Sequence, residues 1–102
     1  MGKLIVSTLT DVNSIVAFVA NEEGVPEPDL GLENFKVMPA APGTDGAMLV
    51  VERVAVAQLP GFYALDLATA DSPTRRRGLY IFDLIVEKGE DRGQSLSSAI
   101  IS

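Results

Sequence analysis

Short apolar runs, each closed off by Gly, Pro, Asn or Asp, recur about every ten residues along this chain. That rhythm is too quick for a succession of ordinary helices, and it matches antiparallel strands joined by turns. Strands are expected near 3–9, 14–20, 34–39, 47–58, 61–67, 78–87 and 93–101. Seven short strands in 102 residues form one domain, 1–102, and suit an immunoglobulin-like β-sandwich. The turns carry their own signals. Gly24 in "NEEGVPEPD" supplies a positive φ, and Pro26 and Pro28 sit where no ladder donor is needed. "PAAPGTDG" (39–46), "ADSPTRRRG" (70–78) and "KGEDRG" (88–93) complete the set.

One segment reads two ways. In "DVNSIVAFVANEEG" the apolar residues Val12, Ile15, Val16 and Val19 fit a helical stripe that Asp11 could cap. The run from Ile15 to Val19 is rich in β-branched and aromatic residues and ends in a turn, which favours a strand.

Alternation assigns the faces. Tyr63, Leu65 and Leu67 share one side of their strand, with Phe62, Ala64 and Asp66 on the other. In 78–87, Tyr80, Phe82, Leu84 and Val86 line one face and Leu79, Ile81, Asp83 and Ile85 the other. Tyr80 and Phe82 are expected in the core, and Gly61 and Gly78 are expected to turn the chain sharply into its strands. A strand between two layers buries only one face, so the second apolar face calls for a cover. Its aspartate is costly to bury unpaired. Such a face is expected to lie at an interface with an arginine opposite Asp83, brought by another copy or, within the chain, by Arg53, which also interrupts an apolar strand.

The composition removes most chemistry. The chain has no histidine or cysteine, hence none of the commonest bases and soft metal ligands and no disulfides. No motif supports a Ser-Lys or paired-carboxylate mechanism. Ser95, Ser97 and Ser98 fall in the last strand, where alternate hydroxyls are expected to face solvent. The chain is read as a non-enzyme with no catalytic, cofactor-binding or metal site assigned. The acidic groups Glu22, Glu23, Glu27 and Asp29, with Glu90 and Asp91, could offer oxygen ligands to calcium, but they lack EF-hand spacing. Arg75, Arg76 and Arg77 form the one basic run, expected to pair locally with Asp71, Glu87 or Asp91 or to meet an anionic partner. A net charge of −6 disfavours nucleic acid and anionic lipid. No run is long enough to span a membrane, and "MGKLIVSTLT" does not read as a signal peptide or, with Val6 in place of Ser or Thr, a myristoylation site.

Four segments carry a resemblance: Gly24-Val25-Pro26, Leu30 to Val37, Pro60 to Leu67, and Gly78 to Val86. The "GLYIF" lead-in is similar to the sixth strand of an immunoglobulin-like domain, with Tyr80 at the position of a tyrosine corner. Lacking tryptophan and both cysteines, the chain departs from antibody domains. Over residues 14–100 it resembles cysteine-free bacterial and phage immunoglobulin-like modules, as in invasin-type adhesins and tail-associated proteins. That resemblance implies a structural or adhesion module of a bacterial surface protein or phage-type assembly. It also implies an extracellular or virion setting, and a protein partner or self-association. A ligand-binding sandwich, for carbohydrate or calcium, is the alternative reading.

Overall fold

All seven expected strands form in the computed structural model, which describes residues 2–39, 49–69 and 78–102. They are β1 (Leu4–Thr10), β2 (Ser14–Asn21), β3 (Phe35–Pro39), β4 (Leu49–Val56), β5 (Phe62–Thr69), β6 (Gly78–Lys88) and β7 (Asp91–Ile101). No α-helix occurs among the described residues; one short 3-10 turn, Leu32–Asn34, leads into β3. The two-way segment is β2. Ile15, Ala17 and Val19 are fully buried while Val16 and Phe18 between them are not, which is period two rather than 3.6. The turns at 39–46 and 70–78, and with them Asp71 and Arg75 to Arg77, lie outside the described residues apart from their ends.

The strands make two antiparallel sheets, ordered β1-β2-β5-β4 and β3-β6-β7. Their inner faces share one apolar core. From the four-stranded sheet come Leu4, Ile15, Val19, Leu49, Tyr63, Leu65 and Leu67; from the other come Phe35, Tyr80, Phe82, Leu84, Val86, Ala99 and Ile101. The expected inward faces of β5 and β6 are therefore the observed ones. Phe35 and Tyr63 meet ring to ring across the layers at a centroid distance of 5.6 Å. Tyr63 does more than fill space: its buried hydroxyl donates to the Glu27 carbonyl and accepts from the Leu30 amide. It thus pins the β2–β3 connection to the core.

Two backbone devices hold the faces in phase. Val51 pairs with Leu67 and Arg53 with Asp66, so Glu52 is an extra residue in β4. Strict alternation from the buried Leu49 would turn Arg53 inward; the bulge turns it out and brings Val54 against the core instead. Gly61 (φ 81°) bends the chain into β5, as its position suggested.

The sheets are stitched along one side, where β1 runs parallel to β7. Backbone bridges join Lys3 to Arg92 and Val12 to Ile100. Between them, Thr8 Oγ1 lies 2.7 Å from Ser97 Oγ, and Thr10 Oγ1 lies 2.7 Å from Ser98 Oγ. Alternation separates the serines, with Ser98 on the outer face and Ser97 on the inner. Ser97 is buried, because β1 closes over its hydroxyl. Gly93 is required at this seam, since a Cβ there would fall inside contact distance of the Leu4 carbonyl.

Candidate interaction faces

With the core filled from both inner faces, the residues left over are those of the two outer faces. Each is more apolar than free surface needs to be.

On the three-stranded sheet, the outward residues of β6 are Leu79, Ile81, Asp83, Ile85 and Glu87. Their β7 partners in register are Ile100, Ser98, Leu96, Gln94 and Arg92. Met38 and Lys36 of β3 sit opposite Asp83 and Ile85. The upper half of this face is open and apolar: Leu79 is 60% exposed, Leu96 68% and Met38 52%, with Ile81 and Ile100 beside them. Ile85 departs from the expectation of an uncovered face, being 8% exposed between the longer Lys36 and Gln94. The lower end is ionic. Lys36 Nζ lies 2.9 Å from Glu87 Oε1, and this ammonium, through its hydrogen bond and its charge, holds the Glu87 carboxyl below its usual range, with Arg92 adding to the effect.

Asp83 sits half-buried where the two halves meet, and it makes no ion pair with any described residue. The expected contact with Arg53 does not occur. Arg53 lies in the other sheet, where its Nε and Nη2 both reach Asp66 Oδ2 at 2.8 Å. The reason is connectivity: β4 and β5 are consecutive and paired, so the bulge places Arg53 directly opposite Asp66. Two interruptions in one hairpin were the signal, and Asp83 was the wrong partner to draw from it.

The outer face of the four-stranded sheet is built differently. Phe18 and Phe62 are cross-strand neighbours with ring centroids 4.8 Å apart. With Leu9, Val16, Ser7 and Thr8 they line an apolar depression of about 280 Å³. Leu9 is 67% exposed, and Ile5 extends the apolar surface along β1. The Ser14–Asp66–Arg53 row borders it.

A depression of about 530 Å³ at the β1–β7 seam has Lys3 and Arg92 as its charged walls, with no carboxylate among its lining residues. The acidic loop residues are dispersed: Glu27 pairs with Lys88 at 3.1 Å, and Glu22 accepts from the Lys3 amide. No group of three or more potential ligands converges among the described residues. No described helix is long and apolar enough to cross a membrane. No protein-family profile matches the chain, and neither a characterised protein nor a solved structure is significantly similar to it.

Proposed function

We propose that this chain is a non-enzymatic structural or adhesion module with an immunoglobulin-like sandwich, acting through protein contacts made by its outer sheet faces. The strand order β1-β2-β5-β4 over β3-β6-β7 supports the immunoglobulin-like reading, since it is the arrangement of a constant-type domain with strands lettered in chain order. The observation that carries the function is the open apolar half of the β3-β6-β7 face, where Leu79, Ile81, Leu96, Ile100 and Met38 form one contiguous surface. Aliphatic side chains left in water on the far side of a filled core add nothing to folding. The setting is a bacterial surface protein or phage-type assembly.

The test separates binding from folding. Ile81→Glu and Leu96→Glu should leave the urea midpoint within about 0.5 kcal/mol of the parent, as for other surface positions, while reducing binding of an apolar fluorescent dye to the native protein. Loss of the folded state in both variants would mean that the chain itself covers this face, and the reading would fall. Calcium titration and a glycan array address the ligand-binding alternative: a saturable calcium-induced rise in melting temperature, or a glycan hit lost with an outer-face substitution, would replace the module reading.

A further inference from the structure

We infer that the partner of each outer face is a second copy of this chain, docked head to tail, with the three-stranded face of one copy against the four-stranded face of the next. The inference rests on the reading above and adds the occupant. Its argument is charge. The β3-β6-β7 face presents a half-buried carboxylate, Asp83, between Met38 and Leu96, with no ion pair among the described residues. Lys36, one register step away, is already held by Glu87 at 2.9 Å. An occupant that brings a cation set beside apolar groups would complement this face. The opposite face of the same chain has that pattern: Leu9, Val16, Phe18 and Phe62 form the apolar part, and the Arg53 side chain, 77% exposed, stands at its border. Arg53 uses Nε and Nη2 on Asp66 and keeps Nη1 without a partner among the described residues.

Like-with-like pairing is the poorer solution. Two three-stranded faces meeting on their apolar halves would bring Asp83 toward Asp83 and leave Arg92, at the ionic end opposite Glu87, away from both, and two four-stranded faces would leave both copies of Asp83 unpaired. The head-to-tail contact uses two different patches on opposite sides of the molecule, so it does not close at two copies and continues as a stack.

Association is measured by light scattering and sedimentation at tens of micromolar and about 0.15 M salt, where exposed long-range repulsion between acidic copies is largely screened. The wild type should grow past the dimer with concentration. Ile81→Glu blocks one face and Leu9→Glu the other, so each alone should be monomeric, with circular dichroism and melting confirming the fold. Mixed in equal amounts they should form a heterodimer and nothing larger, because one intact face remains on each chain. Arg53→Ala and Asp83→Ala should each weaken wild-type association about tenfold, and the double variant no further. A Leu9→Glu chain that still dimerises would show an isologous contact and overturn the stack. So would a mixture that stays monomeric, or a monomeric wild type. If the dye and urea results above hold while the wild type is monomeric, the stack alone is lost and the open faces belong to a different protein.

Discussion

The two outer faces are both apolar, yet they treat their ionic residues in opposite ways. On the four-stranded sheet, a bulge at Glu52 turns Arg53 outward and sets it opposite Asp66, so the charges settle each other within one hairpin. On the three-stranded sheet, Lys36 is spent on Glu87 at the edge and Asp83 is left at the border of the apolar half, between Met38 and Leu96. Alternation of apolar residues sorts inside from outside equally well in both. What distinguishes the faces is the register of a few charged residues, which decides whether a face is self-sufficient or waits for a complement.

The largest effect separates inner from outer positions on a single strand. Phe82 is 2% exposed and Leu79 60%, although both lie on β6. Phe82→Ala should cost about 3–5 kcal/mol in urea unfolding. Leu79→Ala should cost less than about 0.5 kcal/mol. A comparable loss at both positions would erase the distinction between a packed interior and an open exterior.

A second, smaller effect tests the tie between the core and the β2–β3 connection. Tyr63→Phe keeps the ring against Phe35 but leaves the Glu27 carbonyl and the Leu30 amide without their buried partner. A loss of about 1–3 kcal/mol is expected, with faster amide exchange at Leu30. Tyr80 shows how much of this was legible beforehand. Its burial follows from period two. Tyr63 follows the same alternation, but no local pattern reveals that its hydroxyl reaches a loop more than thirty residues upstream. The same limit governs the seam: Thr8 and Ser97 meet only because β1 and β7 run side by side, a fact of topology rather than of spacing. Asp83 and Arg53 were both visible as interruptions of apolar strands, while their pairing required knowing that β4 and β5 are neighbours and that β4 carries a bulge.

The four-stranded face gives a third test. Arg53 and Asp66 are exposed, so water already screens them, and Arg53→Ala should change stability by only about 0.2–1 kcal/mol. Its effect on association should be much larger in proportion. A loss of several kcal/mol of stability would instead make the pair part of the fold's own support.

The smallest effect concerns Lys36 and Glu87, and it returns to what isolates Asp83. The Lys36 ammonium lowers the folded-state pKa of Glu87. A depressed carboxyl contributes stability above its unfolded pKa and loses that contribution as pH falls through the folded value. The wild type should therefore be slightly more stable than Glu87→Gln at neutral pH, with the difference vanishing as acid protonates Glu87 in the folded state as well. A carboxyl titration followed by NMR should place the Glu87 midpoint lower in the wild type than in Lys36→Met. An unchanged midpoint would show the pair too loose to matter. If the pair is firm, Glu87→Gln releases Lys36, which lies beside Ile85 between the two carboxylates and can turn to Asp83. Asp83 would then have its cation from within, and the three-stranded face would need its neighbour less. Weaker self-association in Glu87→Gln, with the core and both apolar surfaces untouched, is the expected sign that the unpaired aspartate, and not exposed apolar area alone, selects what docks there.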